Sequence, residues 1–309
     1  MRLGVLDVGS NTVHLLVVDA HRGAHPWPAH SEKDVLRLAE QIGPDGRLSK
    51  AGANALVAAV AGARAAAERH RTEDLLAFAT SAVRDAANSA EVLARVRKET
   101  GVDLRVLPGE DEARMTFLAV RRWFGWSAGR LLNLDIGGGS LEIASGLDEN
   151  PDVALSVPLG AGRLTRRFLD LSTDRSPSAA AVQRLTEYVE ATLDPVVDKL
   201  TGPGWERPVA TSKTFRTLAR LAGAAPSAAG LYEPRRLSAI GLRQVLGFVR
   251  HIPLDALAQL EGVSASRADQ LLAGAVVAEA TLRRLNVAEV HICPWALREG
   301  VILRRLDAS

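Results

Sequence analysis

The chain has 309 residues, 47% hydrophobic, 24% charged and 4% aromatic, with 38 basic against 36 acidic side chains for a net charge of +2. That composition is globular rather than disordered, its length exceeds what one hydrophobic core usually serves, and its near-zero charge gives no footprint for nucleic acid. The single cysteine, Cys293, excludes an intramolecular disulfide and a Cys-based zinc site, and no stretch of 18 uncharged apolar residues or secretory leader is present, so a cytoplasmic protein that does not enter membranes is expected.

In chain order, residues 3–6 form a short apolar run that predicts a buried strand, ending in the turn formers Asp7-Val8-Gly9-Ser10-Asn11, and residues 12–19 follow at once as a second strand. His21, His25 and His30 lie in a Pro-containing stretch with no Glu at metalloprotease spacing, which predicts a polar loop and no metal site. Residues 49–71 carry Ala, Leu and Arg at helical spacing, and residues 75–80 read as a buried strand. A helix is predicted from Ser81 towards Glu99, stopped by Gly101, then a strand over 102–107. Residues 110–124 form an amphipathic helix whose first turn masses acidic side chains, where the helix dipole favours them. Strands and helices alternate, which defines an α/β protein.

The pattern then repeats. Leu3-Gly4-Val5-Leu6-Asp7-Val8-Gly9-Ser10-Asn11-Thr12 aligns with Leu131-Leu132-Asn133-Leu134-Asp135-Ile136-Gly137-Gly138-Gly139-Ser140: apolar strand, Asp, β-branched residue, Gly turn, hydroxyl. In each copy a new strand leaves the turn directly, the second over 141–146, so each is a hairpin with a tight loop. Two copies imply duplicated domains, 1–126 and 127–309, divided near Gly125–Gly129, with the last helix packing back on the first. The second half continues with a strand at 154–158, helices at 163–169, 179–200, 214–221, 238–250 and 267–285, a strand at 287–292 and a helix at 295–306. Residues 201–208 and 224–234 read as surface loops. Gly160-Ala161-Gly162-Arg163 reads as a turn, and the arginine pairs 121–122, 235–236, 283–284 and 304–305 as solvated faces.

An Asp-x-Gly loop between two strands suits phosphate. Glycines let the backbone approach a ligand, successive N–H groups form an anion nest and the hydroxyl adds a donor. The candidate phosphate residues are Gly9, Ser10, Asn11 and Thr12 in the first loop and Gly137, Gly138, Gly139 and Ser140 in the second. Asp135 and Glu142 flank the second loop, and carboxylates beside a phosphate nest are costly unless a cation lies between them, which points to Mg²⁺ or Mn²⁺. Glu142 either shares the binding face with Ser140 or faces solvent. Asp7 either holds the metal or braces its loop. Arg84, just inside a helix start after Thr80-Ser81, either binds phosphate or pairs with Asp85 or Glu91.

The sequence resembles the exopolyphosphatase and guanosine pentaphosphate phosphatase family of the actin-like ATPase superfamily. Six ordered blocks carry the resemblance: residues 7–12, Ala79-Thr80-Ser81-Ala82-Val83-Arg84-Asp85-Ala86, Gly109-Glu110-Asp111-Glu112-Ala113-Arg114, residues 135–142, Arg267-Ala268-Asp269 and Ala296-Leu297-Arg298-Glu299-Gly300-Val301. The resemblance implies two ribonuclease-H-like domains facing an interdomain cleft, Mg²⁺-dependent release of terminal phosphate from inorganic polyphosphate or guanosine pentaphosphate, and a homodimer. It also implies that Glu112, directly before the Ala of its block, is the catalytic residue that orients and deprotonates water; Asp111 departs from the commoner Glu-rich form.

Thr211-Ser212-Lys213-Thr214 resembles the family's small-residue turn near the nucleotide, with Lys213 where glycine is common. Lys213 either blocks a nucleoside and binds the polyphosphate chain or points to solvent. Arg267 matches an arginine that the resemblance associates with phosphate, against a plain helix-surface role. Arg298, on the last helix, is expected to brace the domain interface through Glu299, the alternative being that it reaches the cleft. The leading expectation is an exopolyphosphatase acting distributively on short chains, since longer relatives add a C-terminal helical region. The alternatives are a guanosine pentaphosphate phosphohydrolase that also binds the tetraphosphate, and a non-catalytic polyphosphate or alarmone sensor. An actin-like kinase is disfavoured by the Glu112 block.

Overall fold

The computed structural model describes residues 1–23, 26–169, 176–200 and 204–308. The chain divides into two compact units, Met1–Thr116 with Leu297–Ser309, and Phe117–Ala296. Among the described residues no helix is long and apolar enough to cross a membrane.

The first unit contains β1 (Arg2–Val8), β2 (Thr12–Asp19), β3 (Trp27–Val35), α1 (Lys50–Arg69), β4 (Asp74–Ala79), α2 (Ser81–Arg84), α3 (Ser89–Thr100), β5 (Arg105–Val106) and the start of α4 (Gly109–Phe124). Its sheet runs β3-β2-β1-β4-β5, with β1 antiparallel to β2 and parallel to β4. Strand alternation gives the sheet two apolar faces. Leu6, Val8, Leu15 and Val17 pack under α1 and α3, against Leu56, Val60, Ala63 and Val96. Leu3, Val5, Leu16 and Val18 pack against Ile302 and Leu306 of the chain's final helix. Asp7 shares that second face, by alternation with Leu3 and Val5.

The second unit contains β6 (Leu131–Ile136), β7 (Leu141–Gly146), β8 (Val153–Val157), α5 (Ala161–Phe168), α6 (Ala179–Leu200), β9 (Arg207–Ala210), α7 (Ser212–Leu221), β10 (Arg236–Ser238), α8 (Ala239–Val249), α9 (Leu254–Gln259), α10 (Leu271–Arg284) and β11 (Glu289–Ile292); α11 (Leu297–Asp307) closes the chain and packs in the first unit. Its sheet runs β10-β11-β9-β6-β7-β8. Leu132, Leu134, Ile136 and Ile143 fill a core with α5, α6, α7, α8 and α10, so Asn133 and Asp135 point to the opposite face.

Several elements differ from the sequence expectation. The helix expected from Ser81 breaks after Arg84, because Asn88 clamps the backbone of Leu48 with both amide atoms, at 2.8 and 3.0 Å, and Ala87 N donates to Gly46 O. The strand expected over 102–107 shrinks to two residues. Of the stretch around His21, His25 and His30 expected as a polar loop, His25 lies outside the described residues and the part from Trp27 on belongs to β3, an edge strand whose exposed charges mask its period. Residues 201–208 were expected as a loop; 201–203 lie outside the described residues, and Arg207 already begins β9, beside β6 in the sheet. Residues 265–270 form a tight 3-10 turn ahead of α10. Arg121, expected on a solvated face, is fully buried and donates to the carbonyls of Gly125, Gly129 and Gly146.

Candidate active site

The loop of the first unit is closed by Gly9 N donating to Thr12 O at 2.9 Å. Ser10 Oγ lies 2.9 Å from Ser81 Oγ, and both residues are buried, as is Asn11. Thr80 N donates to Val8 O, Ala39 N to Ser10 O, and Leu36 N and Arg37 N to Asn11 O. With those carbonyls committed inward, the trans peptides turn the following N–H groups of Asn11 and Thr12 the other way.

Glu112 enters the same unit from the first turn of α4. It is 7% exposed, whereas Glu110 is exposed and paired with Arg114. Arg84 Nη1 binds Glu112 Oε1 and also donates to Leu107 O at 3.0 Å, while Arg84 Nε reaches Asp85 at 3.1 Å. Burial opposes the Arg84 charge, but Glu112 and Asp85 outweigh it and hold the guanidinium above its ordinary value. The expected pairing with Asp85 is present and that with Glu91 is not, since Glu91 pairs with Arg47. Sequence spacing gave no sign of the Arg84–Glu112 pair, which joins two blocks 28 residues apart.

Losing Arg84 therefore removes a charged donor and the anchor of Glu112. Arg84→Ala is expected to raise KM by about tenfold or more, the value of a charge-assisted hydrogen bond, to lower kcat, and to steepen the loss of activity with salt. Steady-state kinetics across a salt series checks this; an unchanged KM with a lower melting temperature would make the pair purely structural.

In the second unit, Gly137 N donates to Ser140 O at 2.9 Å, the counterpart of the Gly9 turn. The N-terminal turn of α5 lies directly behind this loop. Ala161 N donates to Gly137 O, Arg163 N to Gly138 O, and Arg163 Nε to Gly139 O at 2.8 Å. Three successive carbonyls thus face α5, and planar trans peptides aim the N–H groups of Gly138, Gly139 and Ser140 away from it, as an anion nest requires. Gly160 makes the approach possible: a Cβ there would lie 2.2 Å from Gly139 C. The sequence reading took 160–163 for an ordinary turn and missed this backing role.

Asp135 and Glu142 stand directly opposite one another in the β6–β7 ladder. Glu142 is 5% exposed and accepts from Ser156 Oγ at 2.8 Å, so the solvent-facing alternative falls. Thr211 Oγ1 donates to Asp135 Oδ2 at 2.5 Å. Burial pushes the Asp135 pKa up, against the opposing pull of the Thr211 hydrogen bond and the charges of Arg216 and Arg267. In the first unit the residue opposite Asp7 is His14, and Arg298 binds its ring.

At the start of α7, Ser212 adopts a left-handed backbone with φ of 66°, and Thr214 Oγ1 donates to Ile136 O at 3.0 Å. Lys213 and Arg267 line one small recess, and Lys213, Arg216, Arg220 and Arg235 line an adjoining cavity of about 600 Å³. The structure thus brings Asp135, the Gly137–Ser140 loop, Glu142, Lys213 and Arg267 into the second unit, and Asp7, the Gly9–Thr12 loop, Arg84 and Glu112 into the first.

The two-unit arrangement, each with a β-hairpin phosphate-type loop, is that of the actin-like fold. A 1.50 Å exopolyphosphatase structure from Cytophaga hutchinsonii has the same fold, with a TM-score of 0.89 at 23% identity, covering 100% of this chain and 98% of that one. An Aquifex aeolicus Ppx/GppA crystal structure superposes with a TM-score of 0.82 at 23% identity, covering 100% and 98%. The model of the Ppx/GppA phosphatase family matches residues 17–309, and the chain belongs to that family. Exopolyphosphatase 1 of Mycobacterium tuberculosis is 59% identical over 310 residues, spanning 100% of this chain and 89% of its own, and the Mycobacterium leprae protein of the same name is 57% identical.

Proposed function

We propose that this protein is an exopolyphosphatase, which hydrolyses the terminal phosphoanhydride of inorganic polyphosphate to orthophosphate and a chain one phosphate shorter. The observation that carries this reading is the 59% identity with mycobacterial exopolyphosphatase 1 across the whole chain. Cleaving a phosphoanhydride calls for positioned phosphates, neutralised charge and an oriented water more than for covalent chemistry. In this reading Glu112 accepts the proton of the attacking water, and Arg84 fixes the carboxylate that does so. Gly9, Ser10, Asn11 and Thr12 and Gly137, Gly138, Gly139 and Ser140 hold phosphate oxygens, with Lys213 and Arg267 adding charge.

The donor set fits a hard divalent cation. Two carboxylates directly opposed in a ladder repel each other, and one of them is already pushed towards its neutral form by burial. All-oxygen ligands suit Mg²⁺ or Mn²⁺. Asp135 and Glu142 are the residues assigned to it in the second unit, and Asp7 is the matching carboxylate of the first unit's loop; when bound it withdraws charge from the phosphate oxygens.

Asp135→Asn and Glu142→Gln are accordingly expected to raise the Mg²⁺ concentration needed for half-maximal rate. Because burial raises the folded-state pKa of Asp135, its contribution to stability is greatest at acid pH and is lost as pH rises through the folded value. In chelator at neutral pH, Asp135→Asn should therefore melt above the wild type by calorimetry. Unchanged Mg²⁺ titrations in both variants would make these carboxylates structural.

The function itself is tested by Mg²⁺-dependent phosphate release measured side by side on short polyphosphate, long polyphosphate, guanosine pentaphosphate and ATP. Polyphosphate is expected to be fastest. Faster release from guanosine pentaphosphate would replace the substrate, and binding without release would leave a sensor.

A further inference from the structure

We propose that the first unit carries a second metal site, built from His30, Glu32 and His70, that takes a borderline divalent cation such as Zn²⁺. His30 and Glu32 are two apart on edge strand β3, so both side chains leave the same face of the sheet. That face is the one α1 covers, since His30 and Glu32 stand opposite Val17 and Leu15 of its core. His70 caps the C-terminus of α1 and stacks on His30, with ring centroids 3.9 Å apart and planes inclined by 22°. His30 Nε2 lies 2.8 Å from Glu32 Oε1, and one ligand atom from each of the three residues lies within 4.8 Å of the others. Among the described residues this is the one place where three or more His, Cys, Asp or Glu ligand atoms converge in this way.

Two imidazoles and one carboxylate are a known zinc donor set, and a fourth position is left to water. Tetrahedral zinc at its usual bond lengths sets ligand atoms about 3.3 Å apart, so His30 Nε2 and Glu32 Oε1 separate slightly from 2.8 Å and the two stacked rings turn until their nitrogens converge, movements open to side chains that are only partly buried. Imidazole selects Zn²⁺, Ni²⁺ or Cu²⁺ over Mg²⁺, so this site and the carboxylates assigned to Mg²⁺ draw on different ions. Arg69 approaches Glu32 at 3.7 Å, and Arg2 Nη1 donates to the carbonyl of His70, which fixes the helix end against the sheet. A cation held here ties the edge strand to the end of α1, 40 residues apart, and so binds the folded state only.

Equilibrium dialysis of the full chain with Zn²⁺, in millimolar Mg²⁺, should give one tightly held Zn²⁺ per chain. His30→Gln/His70→Gln should lose it, with at least a tenfold drop in affinity. Zn²⁺ should raise the melting temperature of the wild type and leave that of the double variant unmoved, and Co²⁺ should show the visible bands of histidine ligation only in the wild type. Circular dichroism of the metal-free double variant confirms that it folds; if it does not, Glu32→Gln replaces it and should weaken binding in the same assay. Equal Zn²⁺ binding by wild type and variants, or displacement of Zn²⁺ by Mg²⁺, would place the ion on other carboxylates and overturn the proposal.

Discussion

Glu112→Gln is expected to lower kcat on polyphosphate by roughly 10²–10⁴-fold, the usual cost of a lost general base, while KM changes little. The substitution keeps shape and the Oε1 acceptor that Arg84 binds, so the loop geometry of the first unit stays in place. Glu110→Gln, two residues earlier on the same helix but exposed and paired with Arg114, is the matched control and should retain wild-type turnover. Burial is what separates the two carboxylates: a base shielded from bulk water holds one orientation, and its partner Arg84, at the end of α2, fixes that orientation. Rates measured under single-turnover conditions exclude slow product release as the cause. A Glu112→Gln enzyme close to wild type would move the proton acceptor to another residue and leave Glu112 as an anchor for Arg84.

The hairpin loops were legible in the sequence because their chemistry is local. Gly9 and Gly137 each close a turn onto the residue three positions on, and strand alternation then assigns Asp7 and Asp135 their faces. What the sequence did not disclose was tertiary. The Arg84–Glu112 pair, the seating of α5 behind Gly137–Ser140 and the meeting of His30 with His70 join segments that have no common period. Strand β3 escaped because an edge strand shows solvent on most of its side chains, and β9 because four residues with one proline give no alternation to read. Arg121 escaped for a different reason. Paired arginines in a helix usually extend into water, yet three glycine carbonyls at strand and loop ends accept from both terminal nitrogens of this one, and it is buried even though its Nε has no partner.

Gly160→Ala is expected to be the most damaging single-methyl change in the second unit. Its backbone angles, φ −71° and ψ 141°, suit alanine, so no conformational strain enters and any loss is steric. The added Cβ would lie 2.2 Å from Gly139 C, 2.3 Å from Ser140 N and 2.4 Å from Gly139 N, all of them backbone atoms that cannot rotate aside. Either α5 or the loop must shift, and the three carbonyl bonds that set the direction of the nest weaken together. A displacement of the order of 1 Å in a positioning loop costs about 10²-fold in rate, and overpacking of this kind costs about 1–3 kcal/mol of stability. Gly62→Ala provides the contrast, since a Cβ at that position of α1 meets nothing within 4 Å. There the gain in helix propensity should stabilise the protein by up to about 1 kcal/mol with kinetics unchanged. Measuring kcat/KM and melting temperature for both variants separates loop geometry from general tolerance of alanine. A Gly160→Ala enzyme with wild-type kcat/KM would show that the Gly137–Ser140 nest does not hold the reacting phosphate.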